Sequence, residues 1–239
     1  MSTKLSVNLN KVALIRNSRG ANLPDMISFA KDCEEFGADG ITMHPRPDER
    51  HARYSDIPAL KETVTTELNV EGYPSERFMK MILEVKPHQC TLVPDPPGAL
   101  TSDNGWDTVK NKSQLQDICA QLSDSGIRSS IFVNPIESVI EGAKEVGADR
   151  IELYTGPYAH EFIDNKEKAI APYRDAAIHA RNIGIGVNAG HDLNLENLNF
   201  FISQIPWIDE VSIGHALICD SLYFGIQNVI QMYKYQIHK

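Results

Sequence analysis

A single (β/α)₈ barrel, one catalytic domain over residues 1–239, is the fold this sequence predicts, and three observations predict it. Short apolar runs alternate with longer helical patterns, and the alternation repeats eight times. A strand–helix alternation makes a parallel sheet, and eight such units in 239 residues close that sheet into a barrel rather than leave it open. Three helix-to-strand links also carry a glycine where a helix must end: Phe36-Gly37-Ala38-Asp39, Ser125-Gly126-Ile127 and Val146-Gly147-Ala148-Asp149. Glycine accepts the left-handed backbone of a helix C-terminus.

The strands read as Leu5–Leu9, Gly40–His44, Leu68–Glu71, Gln89–Val93, Arg128–Val133, Arg150–Tyr154, Gly186–Asn188 and Glu210–Ile213. Helical patterns lie between and after them, near Pro24–Phe36, Ile57–Thr66, Ser75–Val85, Ser113–Ser123, Ile136–Val146, Lys166–Asn182, Leu195–Gln204 and Ser221–Lys234. The two longest apparent loops, Asn10–Asn22 and Pro94–Lys112, follow strands one and four. That places them on the C-terminal face, where barrel enzymes keep their chemistry.

Composition narrows the function. Lys and Arg number 23 against 32 Asp and Glu, a formal net charge of −9. A broad nucleic-acid or anionic-membrane face needs the opposite balance, so neither partner is expected, although a local basic pocket for phosphate is still allowed. Cys33, Cys90, Cys119 and Cys219 form no CxxC pair and no zinc spacing; they read as reduced thiols. The N-terminal stretch lacks an apolar h-region, and no run approaches the ~20 apolar residues that span a bilayer. A cytoplasmic protein is expected.

Polar, reactive residues cluster where strands end: Asn8, His44, Glu71, Glu152, Asn188, His191 and the Gly214-His215 pair. After strand two, His44-Pro45-Arg46-Pro47-Asp48-Glu49-Arg50-His51 packs two His and two Arg into eight residues. Arg46 suits a bidentate grip on phosphate, and His44 suits proton transfer near neutral pH. Glu71 and Glu152 read as general acid–base groups, ion-pair partners or metal ligands. Gly190-His191 after strand seven and Gly214-His215 after strand eight occupy the usual phosphate-binding loops of such barrels. There is no HxH or HExxH pattern, and no metal is expected.

These residues carry a resemblance to the pyridoxine 5′-phosphate synthase family. It rests on Val7-Asn8-Leu9, Arg16-Asn17-Ser18-Arg19-Gly20, the stretch from Gly37 to His51, Asn69-Val70-Glu71, Lys86-Pro87-His88, Leu92-Val93-Pro94, Ile151 to Gly156, Val187-Asn188-Ala189-Gly190-His191 and Ile213-Gly214-His215-Ala216, in order from strand one to strand eight. The resemblance implies a barrel with extra helices, assembled as a homo-octamer and needing no metal or organic cofactor. It implies condensation of 3-amino-2-oxopropyl phosphate with 1-deoxy-D-xylulose 5-phosphate to give pyridoxine 5′-phosphate, inorganic phosphate and water. By position, His44 and Glu71 would be general bases, His191 a proton donor and Glu152 a stabiliser of the transition state. Asn8 and Arg19 would contact the aminoketone phosphate. Arg46, His51, Thr101, Gly214 and His215 would contact the pentulose phosphate and the phosphate that leaves it.

Two positions depart from the family's usual pattern. Asn10-Lys11 stands where Asp-His is usual, and Asp192 where Gly is usual; both fall among the expected substrate contacts and leave the three proton-transfer residues in place. The alternatives are another phosphosugar-handling barrel, such as a metal-assisted isomerase or aldolase, and a barrel that binds without catalysing. A further expectation is a phosphate held between Gly190, Gly214 and His215, within reach of Arg46. Asp192 should then point away from the anion or pair with a cationic side chain.

Overall fold

The structure is a computed structural model of the chain, and it describes residues 2–95 and 102–239. Eight parallel strands close in chain order: β1 (Lys4–Asn8), β2 (Gly40–Met43), β3 (Glu67–Gly72), β4 (Gln89–Leu92), β5 (Arg128–Val133), β6 (Arg150–Tyr154), β7 (Gly186–Gly190) and β8 (Glu210–Ile213). β8 pairs back onto β1, with Val7 opposite Ile213. The eight expected strands are all present; β7 runs two residues further than expected, through Gly190.

Strand alternation sorts the side chains onto two faces. Leu5, Val7, Ile41, Met43, Leu68, Val70, Ile131, Ile151, Leu153, Val211 and Ile213 are buried in the hydrophobic core they share with the helices. The other half of each strand, polar or small apart from Phe132 on β5, fills the barrel. There Ser6 meets Thr42 (2.7 Å), the Thr91 hydroxyl donates to Asn69 (3.0 Å), and Asn188 donates across to Gln89 (3.4 Å). Toward the strand starts Glu67 takes both Lys4 and Arg128, and Arg150 donates to Asn188 (3.1 Å). These bonds satisfy part of the buried polar interior, while the amide nitrogens of Asn69 and Gln89 are buried without a hydrogen-bond partner among the described residues.

Among the described residues the helices are α1 (Asn10–Asn17), α2 (Met26–Glu35), α3 (Asp56–Thr63), α4 (Glu76–Val85), α5 (Lys112–Asp124), α6 (Glu137–Glu145), α7 (Gly156–Phe162), α8 (Lys166–Asn182), α9 (Leu198–Gln204), α10 (His215–Phe224) and α11 (Ile226–His238). Gly37, Gly126 and Gly147 take φ of 101°, 73° and 82° just past α2, α5 and α6, as their placement predicted.

Three expectations are corrected. The loop expected over Asn10–Asn22 is helical as far as Asn17. Its core-facing residues are Val12, Ala13 and Arg16, while Leu14 and Ile15 are exposed, so a buried charge interrupts the apolar periodicity that signals a helix. The short α7 was not expected, because Gly156-Pro157 reads as a turn; Pro is in fact suited to a helix's first turn. The last helix is two, since Gly225 at φ 78° separates α10 from α11. The end of α10 presents Leu222, Tyr223 and Phe224 in sequence, at 71%, 84% and 54% exposure. No helix among the described residues is long and apolar enough to cross a membrane.

Candidate active site

A cavity of about 500 Å³ opens at the strand C-termini. Asn8, Asn10 and Lys11 reach it from β1 and α1, His44, Arg46, Arg50 and His51 from beyond β2, and Glu71 from β3. Phe132 on β5 and Glu152 on β6 face them, and His191, Asp192, Ser212, Gly214 and His215 close the remaining side.

The β1–β3 side is wired through two asparagines. The Asn8 amide approaches Glu71 Oε2 (3.5 Å), and Asn8 Oδ1 accepts the Asn10 N–H (3.0 Å). Asn10 Oδ1 then accepts the His44 backbone N–H (2.9 Å). Asn10, at a position expected to touch substrate, therefore also holds the backbone of His44. His44 Nδ1 lies 3.9 Å from Glu71 Oε2, and both residues are buried. His51 Nδ1 accepts the Ala52 N–H (2.9 Å), which leaves its ring proton on Nε2. Arg46 donates to Asp95 (2.8 Å), which also accepts from Ser102 (2.5 Å); so the guanidinium expected to fork onto phosphate already has a carboxylate on one arm.

Burial sets the protonation states here. It holds His44 well below the ordinary imidazole range, helped by the charges of Arg46, His51 and Arg50. It lowers His51 to about 4, again with Arg46 beside it. Both rings are therefore neutral at pH 7; His44 can accept a proton, whereas His51, with Nδ1 held by Ala52, presents its Nε2–H as a donor. Burial, reinforced by Asp95 and opposed by Arg46, pushes the Glu71 carboxyl up to about 7. Burial and the neighbouring Glu71 carry Glu152 well above the carboxylate range. This favours the neutral carboxylic acid form of Glu152, the form that can donate a hydrogen bond to an oxygen that gains charge.

On the far side, Gly190 makes room for Glu152. A Cβ built on Gly190 would lie 2.3 Å from Glu152 Oε1. This corrects the expectation that Gly190 borders an anion: it does not line the cavity, whereas Gly214 and His215 do. A Gly190→Ala change should leave the fold intact, since the colliding atom ends a side chain, but displace the Glu152 carboxyl. Turnover is expected to fall roughly tenfold or more; unchanged kcat in a folded variant would refute this role. His191 and Asp192 follow with φ of 83° and 57°, a left-handed pair that costs roughly 1–3 kcal/mol per non-glycine residue. The His191 ring packs edge-on against Tyr154, with centroids 5.3 Å apart, and burial lowers its pKa while Asp192 opposes that shift. Asp192 Oδ2 stands 4.0 Å from His191 Nε2; Asp192 lines the cavity, with the imidazole as its nearest basic partner. Gly214 caps α10 without a side chain and His215 opens the helix, so first-turn N–H groups lacking intrahelical partners border the cavity.

Of the expected site residues, the structure brings together Asn8, Asn10, Lys11, His44, Arg46, His51, Glu71, Glu152, His191, Asp192, Gly214 and His215. Arg19 is exposed beyond the end of α1 and does not line the cavity. Thr101 lies outside the described residues. Two features escaped the sequence reading. Asp95, the partner of Arg46, sits in the long loop after β4, where one carboxylate gives no signal. Arg16 and Asn17 were visible as part of a motif without a task. Arg16 is 1% exposed and grips Asp56 through both its NH1 (2.7 Å) and NH2 (3.0 Å) arms. Asn17 donates to the carbonyls of Glu49, Arg50 and His51 at 3.3, 3.1 and 2.8 Å. Together they fix the loop that carries His51.

Comparison with known proteins agrees with this arrangement. Residues 5–239 match the family model described as pyridoxal phosphate biosynthesis protein PdxJ. The chain is 55% identical to pyridoxine 5′-phosphate synthase of Cytophaga hutchinsonii over 99% of its own length and 100% of the relative's. It is 57% identical to the enzyme of the same name from Parabacteroides distasonis, over 97% and 98%. Among solved structures, tryptophan synthase from M. tuberculosis superposes with a TM-score of 0.67 at 12% identity, covering 99% of this chain and 94% of that one, a likeness of fold alone. The chain belongs to the PdxJ family of pyridoxal phosphate biosynthesis proteins.

Proposed function

We propose that the chain is a pyridoxine 5′-phosphate synthase, condensing 3-amino-2-oxopropyl phosphate with 1-deoxy-D-xylulose 5-phosphate to form the pyridine ring. The observation that carries this reading is the convergence, in one cavity, of His44, His51, Glu71, Glu152 and His191, where burial lowers the imidazoles and raises the carboxyls. Joining an amine to a ketone and expelling water and phosphate requires several proton transfers, each worth roughly 10²–10⁴-fold when a group is positioned for it. In this reading His44 and Glu71 accept protons, and His191 delivers one to a leaving oxygen. Glu152 donates a hydrogen bond to developing negative charge. Gly214, His215 and the start of α10 hold a phosphate, with Arg46, His51 and Lys11 supplying further donors. An anionic substrate raises the proton affinity of His191, which suits its role as donor. Asn8 orders the aminoketone side, Asn10 and Lys11 stand on the pentulose side and Asp192 faces the substrates beside His191; Thr101, and Arg19 from outside the cavity lining, are the remaining contacts that the resemblance assigns.

The proposal extends to a cytoplasmic homo-octamer that works without metal or organic cofactor. The exposed Leu222-Tyr223-Phe224 run supports self-association. Among the described residues, the group with metal-ligand spacing is Glu137, Glu141 and His179, on α6 and α8 rather than at the cavity. The test is to incubate purified, chelator-treated protein with both phosphates and to assay pyridoxine 5′-phosphate and released phosphate together. Both products should appear in equal amounts. Consumption of neither substrate would overturn the reading, and activity that returns only with a divalent ion would favour a metal-assisted barrel enzyme.

A further inference from the structure

Thr155 stands at the N-cap of α7 and Asn197 at the N-cap of α9. Threonine and asparagine at that position ordinarily accept a hydrogen bond from an N–H two or three residues on, which secures the helix start. Neither side chain does so here, although both residues are buried, at 0% and 2% exposure. The Thr155 hydroxyl is shared between the carbonyls of Gly190 (2.7 Å) and His191, and the Thr155 N–H also donates to Gly190 (3.0 Å). The Asn197 amide donates to the carbonyl of Asp192 (3.2 Å), while its oxygen accepts the Asn194 N–H (2.9 Å) and fixes the plane of the carboxamide.

Three consecutive carbonyls, 190 to 192, are thus gripped from two helix ends. The gripped segment is the left-handed pair His191-Asp192, a backbone that non-glycine residues keep only when their surroundings impose it. The helix starts are secured by other groups: Pro157 has no N–H to cap, the Tyr158 N–H goes to the Tyr173 hydroxyl (3.3 Å), and Asn194 Oδ1 accepts the Glu196 and Asn197 N–H groups (2.9 and 3.1 Å). From this geometry we infer that Thr155 and Asn197 are positioning residues, whose donors to carbonyls 190–192 lock His191 edge-on to Tyr154 and into the cavity. The inference rests on the proposed role of His191 as proton donor, and its test includes an arm that does not.

Thr155→Val keeps the shape and deletes the hydroxyl. It is expected to lower kcat roughly 10–10²-fold, as a misplaced reacting group does, and to leave KM within about twofold. Thr155→Ser restores the hydroxyl and should recover kcat to within about threefold of wild type. In ¹⁵N-histidine-labelled protein, the His191 ring titrates below the ordinary imidazole range because it is buried. Released by Thr155→Val, it should titrate higher, with Asp192, Asp95, Lys11 and Arg46 around it unchanged. Asn197→Asp removes the donor to Asp192 and should move the same readouts the same way; it carries the test if Thr155→Val does not fold. Wild-type kcat together with an unmoved His191 titration would overturn the inference. So would a loss of kcat that serine does not rescue, or one with the His191 titration unmoved, since each assigns Thr155 a merely structural role. Full turnover in His191→Asn would sink the donor role instead, while the titration still reports whether Thr155 holds the ring.

Discussion

Replacing Glu71 with Gln is expected to slow turnover by roughly 10²-fold or more, and to remove a limb of the pH profile. Glu71 works as a base only when ionised, and its carboxyl is pushed up to about 7. The wild-type rate should therefore climb as pH rises through about 7 and level off above it. Glutamine cannot ionise, so the variant lacks that climb. Substrate phosphates also titrate, with a second pKa of roughly 6, but they do so equally with both enzymes, and the ratio of the two profiles isolates Glu71. Asp95→Asn offers a signed check. Asp95 raises the Glu71 pKa, and Arg46, freed from Asp95, would lower it further; the climb should move to lower pH. Measuring kcat/KM from about pH 5.5 to 9 covers the range. An unchanged ascending limb in Glu71→Gln would remove Glu71 from the base role.

The second large effect is on stability. Arg16→Met should destabilise the fold by roughly 3–5 kcal/mol, the usual result of removing one partner from a buried ion pair. For a domain of this size that corresponds to a fall of roughly 6–20 °C in thermal midpoint. Arg16 is buried and also donates to the His51 carbonyl (3.1 Å), so methionine fills the space but strands Asp56, whose side chain is only 12% exposed. A second change, Asp56→Asn, removes the stranded charge, and the double variant should lose less than the two single losses added together. Strict additivity, or an Arg16→Met midpoint within about 2 °C of wild type, would show that the pair contributes little.

The barrel was legible in the sequence because its evidence is local. Strand and helix periods, and glycines such as Gly126 at helix ends, are written within a few residues of where they act. The cavity was largely legible as well, because strand ends are local features and the closed fold forces them together. What stayed hidden depends on partners far apart in the chain. The strand residues read as chiefly apolar, yet half of each strand lines a polar interior whose pairs, such as Asn188 with Gln89, lie 99 residues apart. Arg16 interrupted a helical pattern because its reason for burial, Asp56, is 40 residues away. Gly190 was given an anion to approach when its missing Cβ serves Glu152, 38 positions earlier in the chain. Thr155 and Asn197 had no assigned task in the sequence, and only the folded chain shows the carbonyls they hold.

Because β8 pairs with β1, the sheet has neither a first nor a last strand. An open sheet offers a row of unspent N–H and C=O groups that any passing chain can extend, and natural proteins must guard such edges. Here the backbone is closed to recruitment, by strand addition from a partner or by the edge-to-edge pairing that starts aggregation. Any contact between copies would fall to the helical shell and its exposed side chains, such as Tyr223. Assembly can then strengthen, weaken or change its geometry through substitutions on the outside of the molecule, without touching the hydrogen-bonded ring that holds the catalytic rim in shape.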